Sequence, residues 1–157
     1  MRLELTRRGD YAVRAMLALS RWDGPGPLSA RRIAEGMGIP GRFLPQVLGD
    51  LVRAGLVEAT AGRHGGYLLA RAATEISLLD VVEAIEGDSR RRTCVLRGGP
   101  CGRDGHCDVH DPFFAGQDAM LTILGSTTLA SLPQRLGGWI RQDEHRPGSV
   151  RVDGREP

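Results

Sequence analysis

The sequence predicts a mainly α-helical fold with a small β-wing, arranged as a winged helix-turn-helix plus a long dimerisation helix. Three amphipathic segments come first, two short extended segments around a glycine-rich turn follow, and a long apolar segment comes after a cysteine-rich stretch. Three helices followed by a hairpin is the element order of winged helix-turn-helix domains. We divide the chain into a winged helix-turn-helix unit (1–72), a connecting helix (73–87), a cysteine cluster-binding loop (88–110), a dimerisation helix region (111–141) and a disordered tail (142–157).

The first two helices are predicted from apolar residues that recur at helical spacing after a good capping residue. Thr6 and Ser29 suit the N-cap because their hydroxyls accept a hydrogen bond from the first helical turn. Between the helices, residues 23–27 read DGPGP, a composition that breaks helices and favours a turn. The apolar positions are Ala12, Ala15, Met16 and Leu19 in the first helix and Ala30, Ile33, Ala34 and Met37 in the second.

A third helix is predicted to begin near Pro40, because proline suits the first turn of a helix, and to stop at Gly55. Pro45 lies inside this segment, where it cannot donate to the carbonyl four residues earlier. We therefore expect a shifted boundary or an irregular first turn. The apolar positions of this helix are Leu44, Val47, Leu48 and Leu51.

The next segments predict a β-hairpin and a fourth helix. Residues 56–60 and 67–69 are extended in character, and the sequence AGRHGG between them forms a flexible tip. Ser77 then caps a helix that has Asp80 at its third position and ends at Gly87. Its apolar stripe comprises Leu78, Val81, Val82 and Ile85.

A longer helix is predicted to open at Asp111 and Pro112 and to run to about Gly125. Large apolar residues cover more than one of its faces, which indicates that it packs on its own domain and on a second subunit. These residues are Phe113, Phe114, Met120, Leu121, Ile123 and Leu124. A last short helix is expected within residues 128–140.

Charge is distributed unevenly along the 157 residues, which carry a formal net charge of +2. Residues 1–71 hold eleven arginines against six acidic residues, and residues 72–157 hold ten against thirteen. A basic first half suits a domain that binds a polyanion. No segment approaches the roughly 18 uninterrupted apolar residues of a membrane span, and the first residues lack the apolar core of a signal peptide. We therefore expect a cytoplasmic protein without a membrane partner.

Candidate DNA contacts lie on the predicted reading elements. The second helix of a helix-turn-helix enters the major groove, and arginine and glutamine there read guanine and adenine through paired hydrogen bonds. Arg42 and Gln46 are therefore the candidates for base contact. Phosphate contacts are expected from Arg31, Arg32 and Arg53, and wing contacts from Arg63 and His64. The simpler alternative is that these are solvated surface side chains.

All three cysteines lie within one glycine-rich stretch, in the pattern Cys94-x6-Cys101-x5-Cys107-x2-His110. An odd number of cysteines so closely spaced favours a metal centre over a disulfide framework. The ligands suit a [2Fe–2S] or [4Fe–4S] cluster, which favours thiolates, and they also suit a structural Zn²⁺. A catalytic cysteine is the weaker alternative, because no base and orienting residue accompany the thiols.

Four segments of the chain resemble the Rrf2 (Rrf-two) family of winged-helix iron–sulfur transcription regulators. They are TRRGDYAVRAM at 6–16, AGLV at 54–57, RHGGYLL at 63–69 and SLLDVVEAIEG at 77–87. The resemblance extends from residue 1 to about 132. It implies a homodimer that is crossed by the helix near 112–125, binds double-stranded palindromic promoter DNA, and holds an iron–sulfur cluster that controls DNA affinity.

The resemblance also implies a ligand set. Cys94, Cys101 and Cys107 match the three family cysteines, with a first gap one residue longer than the family pattern. His110 matches the fourth ligand of the IscR-like branch, whereas Asp10 matches a carboxylate that the NsrR-like branch supplies from the partner subunit. Pro45 replaces a recognition-helix glutamate of the IscR-like branch, so that branch's DNA discrimination does not carry over.

The sequence therefore predicts a non-enzymatic, dimeric iron–sulfur transcription regulator, with repression as the expected mode. Redox state, nitric oxide and iron–sulfur supply are the candidate signals, and loss or modification of the cluster would free the cysteine loop and shift the two reading heads. The alternative is a zinc-stabilised winged-helix DNA-binding protein without a sensing role. His110 is the preferred fourth ligand and Asp10 its competitor.

Overall fold

The computed structural model describes residues 4–89, 96, 105 and 107–133. The helices are α1 (Arg7–Ser20), α2 (Ala30–Met37), α3 (Leu44–Arg53), α4 (Leu78–Glu86) and α5 (His110–Ser126), and a 3₁₀ turn spans Leu129–Ser131. One antiparallel sheet contains the strands β1 (Val57–Thr60) and β2 (Gly66–Leu69). A mostly helical fold with a two-stranded wing confirms the predicted class. None of the helices in this part of the chain is long and apolar enough to cross a membrane.

Helix α1 lies at the centre of the core and packs against α2, α3, α4 and β2. Ala12 and Ala15 are fully buried on it, and their small side chains let the neighbouring helices approach closely. The largest fully buried side chains come from α1, α2, α3 and α4 and from the segment before α4: Met16, Ile33, Leu44, Leu48, Leu51, Ile76, Val47 and Val81. The winged-helix unit, called the reading head below, therefore closes a core together with α4 of the same chain.

The predicted caps of α1, α2 and α4 are confirmed. The Thr6 hydroxyl accepts from the Gly9 amide at 3.1 Å, and the Ser29 hydroxyl accepts from the Arg32 amide at 3.3 Å. At α4, Ser77 Oγ accepts from the Asp80 amide at 3.1 Å, while Asp80 Oδ2 accepts from the Ser77 amide at 2.8 Å. Each bond satisfies an amide that would otherwise have no partner within the helix.

The predicted start of the third helix near Pro40 is wrong. Residues 41–43 form a turn in which the Phe43 amide donates to the Pro40 carbonyl at 3.0 Å, and α3 begins at Leu44. This boundary places Pro45 in the first turn, where an amide has no intrahelical acceptor and a proline costs little. The proline thus sets the beginning of the helix instead of kinking it.

The wing is attached to the linker between α1 and α2. The strands pair in register from Val57 with Leu69 to Thr60 with Gly66. Leu28 extends this sheet by a bridge, because its amide donates to the Tyr67 carbonyl at 3.0 Å and its carbonyl accepts from the Tyr67 amide at 2.9 Å. A Cβ at Gly66 would lie 2.6 Å from the Leu28 carbonyl oxygen, so this close approach requires glycine.

Helix α4 differs from its predicted apolar pattern. Leu79, outside the predicted stripe of α4, is buried, and Gly125 of α5 lies next to it. Of the predicted stripe only Val81 is fully buried. Helix α5 buries only Phe114. The expected last helix is reduced to the 3₁₀ turn within the described residues, and the predicted tail lies outside them.

Candidate DNA-binding surface and cysteine loop

The seven residues predicted to contact DNA are all exposed. Arg42 and Gln46 lie at the beginning of the recognition helix α3, and Arg53 lies at its end. Arg31 and Arg32 lie on α2, and Arg63 and His64 lie at the tip of the wing.

The two arginines of α2 are oriented by neighbouring side chains. Arg31 Nε donates to Glu35 Oε1 at 2.7 Å, and this hydrogen bond raises the pKa of the Arg31 guanidinium. The Arg32 guanidinium carbon lies 4.4 Å from the centroid of the Trp22 ring, as in a cation–π contact. The indole of Trp22 donates to the Gly26 carbonyl at 2.9 Å. Arg32 is therefore held over a ring that is itself fixed to the α1–α2 linker.

A cleft of about 540 Å³ separates the wing tip from the beginning of α2. Ser29 and Arg32 line one side and Arg63 and His64 line the other. Sequence reasoning placed these residues on separate elements, whereas the structure brings them to one opening. Two guanidinium groups, an imidazole and a capped helix N-terminus suit the passage of a phosphate backbone.

Arg53 contacts a carboxylate that the sequence did not single out. Asp50 accepts hydrogen bonds from Arg53, one turn later on α3, and from Arg8 of α1. The Asp50 side chain is 9% exposed, whereas that of Arg53 is 74% exposed. Asp50 therefore ties the recognition helix to α1. The contact between Arg53 and a phosphate stays a prediction. It would use the side of the guanidinium group that does not face Asp50.

The end of the cysteine loop is attached to α5. Cys107 is half-buried, and its carbonyl accepts from the backbone amide of His110 at 2.9 Å. His110 is the first residue of α5, and its ring centroid lies 4.2 Å from that of the buried Phe114. The structure thus brings Cys107 and His110 into one turn. Cys94 and Cys101 lie outside the described residues.

The beginning of the cysteine loop is attached to both α4 and α5. The Ser89 amide donates to Glu83 Oε1 at 3.3 Å, and the Ser89 carbonyl accepts from Gln117 Nε2 at 2.8 Å. Sequence patterns gave no indication of this contact, because Ser89 and Gln117 are 28 positions apart. Ser89 is therefore bonded to two helices at the point where the loop begins.

Asp10, the second candidate for a fourth ligand, makes an ion pair within α1. Its two carboxylate oxygens accept from Arg14 Nε and Nη2, each at 2.9 Å. Arg14 Nη1 also lies 3.4 Å from the Met37 carbonyl at the end of α2. This i, i+4 ion pair therefore reaches the turn of the helix-turn-helix.

The end of α4 contacts the beginning of α1. Glu86 Oε1 accepts from the Thr6 amide at 2.9 Å. A carboxylate at this position also interacts favourably with the positive end of the α1 dipole. A Cβ at Gly9 would lie 2.5 Å from the same oxygen, so the absence of a side chain there permits the contact. Glu86 therefore connects the segment that enters the cysteine loop with the first helix of the reading head.

An apolar groove of about 460 Å³ lies between the beginning of α1, α4 and α5. Its lining includes Leu5, Val13, Leu78, Val82, Met120, Leu121 and Leu124. On the outer side of α5, Phe113 is 45% exposed and Ile123 is 63% exposed. Large apolar side chains on two sides of one helix favour association with another protein surface.

Comparisons with known proteins identify relatives over most of the chain. The Rrf2 family model, described as an iron-dependent transcriptional regulator, matches residues 5–135. The HTH-type transcriptional regulator IscR of Escherichia coli is 33% identical over 130 residues, which cover 83% of this chain and 80% of IscR. These relatives are transcriptional regulators, which are not enzymes.

Two solved structures extend the similarity to three dimensions. CymR, the global cysteine regulator of B. subtilis, superposes with a TM-score of 0.72 at 28% identity, covering 88% of this chain and 98% of CymR. IscR of T. potens superposes with a TM-score of 0.63 at 30% identity, covering 82% of this chain and 85% of that structure.

Proposed function

Because the chain belongs to the Rrf2 family of DNA-binding transcriptional regulators, we propose that it is a homodimeric repressor whose affinity for promoter DNA depends on an iron–sulfur centre in its cysteine loop. It acts in the cytoplasm, on DNA that carries two related half-sites. The family and the DNA-binding role rest on the matched residues 5–135. The iron–sulfur centre, the dimer and the mode of regulation are our proposals.

The observation that carries the proposal is the donor set of the cysteine loop. Three thiols lie within fourteen residues, from Cys94 to Cys107, and His110 follows on the first turn of α5. Thiolates with one imidazole are ligands that iron–sulfur clusters accept, so the residues fit such a centre. When bound, the cluster supplies iron that responds to oxidants and to nitric oxide.

The proposed site is mechanically connected to the reading head. Ser89 fastens the beginning of the loop to α4 and α5, and Cys107 and His110 fasten its end to α5. Glu86 then joins the end of α4 to the amide of Thr6, the N-cap residue of α1. A rearrangement of the loop would therefore move α4 and α5 relative to α1, and with them the two heads of a dimer.

DNA recognition is assigned to the exposed residues of α3, α2 and the wing. Arg42 and Gln46, at the beginning of α3, would read base edges in the major groove. Arg31 and Arg32 would contact phosphates, and Arg63 and His64 would follow the backbone or enter the minor groove beside the wing. The cleft shared by Arg32 and the wing tip supports a continuous path for one strand.

The dimer is assigned to α5. Its outer apolar residues and the groove beside it need a partner surface, and a second copy of the same helix is the partner that closes a symmetric pair. Symmetric heads would bind symmetric half-sites, since the spacing of the heads sets the spacing of the sites.

His110 is the proposed fourth ligand. Its backbone is bonded to Cys107, so the same turn that presents the thiol also presents the imidazole. Both oxygens of Asp10, in contrast, accept from Arg14, and ligation by Asp10 would require that ion pair to give way. Asp10 remains the alternative, supplied by the partner subunit.

Anaerobic purification tests the proposal. We expect a coloured protein with a visible charge-transfer absorption and with iron and acid-labile sulfide in comparable amounts. Cys107→Ser should remove the colour and lower the iron content, whereas the exposed Ser126→Ala, on the far end of α5, should change neither. A colourless protein with stoichiometric zinc under strict anaerobiosis would instead support the zinc-stabilised alternative, because three thiolates and one imidazole are also a complete zinc ligand set.

A further inference from the structure

We propose that Phe43 and Tyr11 are positioning residues that hold Arg42 ready for base readout. The inference rests on the proposed function, because it assigns a specificity role to residues of the same DNA-reading surface. Neither aromatic residue was singled out by the sequence pattern. Both make contacts at the beginning of the recognition helix α3.

The first contact is between Arg42 and the ring that follows it. The guanidinium carbon of Arg42 lies 4.8 Å from the centroid of the Phe43 ring. Arg42 is exposed, in the turn just before α3, whereas Phe43 is half-buried at the N-cap position. The guanidinium group thus lies over an aromatic ring at the beginning of the recognition helix. Arginine makes cation–π contacts of this kind more often than lysine does.

The second contact connects Phe43 to the core helix. The rings of Phe43 and Tyr11 are stacked, with centroids 5.9 Å apart and an angle of 29° between their planes. Tyr11 lies next to the fully buried Ala12 on α1, so its backbone belongs to the helix at the centre of the core. The backbone of Phe43 is also fixed, because its amide donates to the Pro40 carbonyl and its carbonyl accepts from the Val47 amide.

Together the three side chains form a ladder from the core to the DNA-facing surface: Tyr11, then Phe43, then Arg42. An unrestrained arginine loses much of its rotamer freedom when it forms a paired hydrogen bond with guanine. A guanidinium group that is already held against a ring loses less rotamer freedom on binding. More of the free energy of its contact with guanine is then available for discrimination between bases. The ladder should therefore increase specificity at the base pair that Arg42 reads and leave other positions unaffected.

Arg32 provides the matched comparison. It also lies over an aromatic ring, that of Trp22, but it faces the wing cleft, where the proposed contact is a phosphate. Phosphates are present at every position of every duplex, so loss of Arg32 weakens binding to all sequences alike.

The test uses the duplex that the intact wild-type protein selects from a pool of random-sequence DNA. Affinity is then measured for that duplex, for each of its single-base-pair variants and for random DNA. Arg42→Ala should lower discrimination at one symmetric base pair about 5- to 150-fold. Phe43→Leu should lower discrimination at that same base pair at least threefold, and Phe43→Tyr, which retains the ring, should restore it. Arg32→Ala should lower all affinities by a common factor.

Three results would overturn the inference. In the first, Phe43→Leu discriminates between base pairs as wild type does, although Arg42→Ala does not. In the second, Phe43→Leu lowers the affinity for all duplexes equally, as a structural defect would. In the third, the wild-type protein selects no duplex at all, and the proposed function fails together with this inference. The first two results would overturn this inference alone. Circular dichroism and thermal unfolding verify that each variant is folded. If Phe43→Leu does not fold, Tyr11→Leu replaces it, with Tyr11→Phe as its ring-retaining control.

Discussion

The reading head and helix α5 bury their apolar residues in different ways. Within the head, Met16, Ile33 and Leu48 are completely buried against residues of the same chain. Helix α5 is longer than any helix of the head, with 17 residues, yet it buries only Phe114 and leaves Ile123 63% exposed. The core of the head is thus closed within one chain, whereas α5 leaves apolar surface that the proposed dimer would cover.

Hydrogen bonds connect the two regions through α4 and the backbone next to it. Glu86 bonds to the Thr6 amide, and Gln117 and Glu83 hold Ser89 at the entrance of the cysteine loop. In the proposed mechanism, these bonds carry a rearrangement of the cysteine loop to α1.

The largest expected effect tests whether the core of the reading head is formed by one chain alone. Leu48→Ala should lower the free energy of unfolding by about 2–5 kcal/mol, because it leaves a cavity in a fully buried site. The loss should be the same at every protein concentration, since no partner surface covers Leu48. Urea unfolding at two protein concentrations measures both statements. Val52→Ala, also on α3 but 37% exposed, is the control and should cost far less. Equal costs for the two variants would contradict the assigned core.

The next effect concerns association. Ile123→Glu should raise the dimer dissociation constant at least tenfold, equivalent to about 1.4 kcal/mol, because a carboxylate would enter an apolar interface. Since Ile123 is exposed in the single chain, its replacement should leave the fold of the head intact. Analytical ultracentrifugation provides the measurement, and Thr122→Glu adds the same charge to an exposed polar position of α5. If Ile123→Glu sediments as an unchanged dimer, α5 is not the interface.

The smallest effect leaves folding and association unchanged and separates the two candidate fourth ligands. His110→Ala should shift the visible spectrum and shorten the lifetime of the bound iron in air, because it removes a ligand from the turn that holds Cys107. Asp10→Ala removes only the ion pair with Arg14 and should leave the spectrum as it is. The opposite pattern would assign the ligand to Asp10 of the partner subunit and would join the metal centre to α1 directly.

Local features of the fold were predictable from the sequence. Thr6, Ser29 and Ser77 cap their helices as expected, because an N-cap depends on a hydroxyl and on amides two or three residues away. Gly87 ends α4 as predicted, with a φ of 87°, a conformation that glycine adopts without strain. Where the physical cause lies within one turn of chain, the residue type is enough to predict the structure.

Features that depend on distant contacts were not predictable in this way. The beginning of α3 was misplaced because the Pro40–Phe43 turn satisfies its own hydrogen bond before the helix starts. Leu79 was left out of the α4 stripe because α5, more than 30 residues later, covers it. The candidate site shows the same division. Arg42 and Gln46 could be proposed from residue type and position, but the contact of Phe43 with Tyr11 crosses 32 positions of sequence.

Operator affinity before and after iron removal tests the central proposal most directly. The duplex selected by the wild-type protein is titrated anaerobically with one preparation, first as purified and then after its iron has been removed by a chelator. We expect the affinity of wild type to fall about tenfold or more. Cys101→Ser should bind weakly in both states, because it lacks one thiolate of the loop. Equal affinity of the wild-type protein with and without iron would contradict a regulatory cysteine loop and leave a DNA-binding protein without a metal-dependent switch.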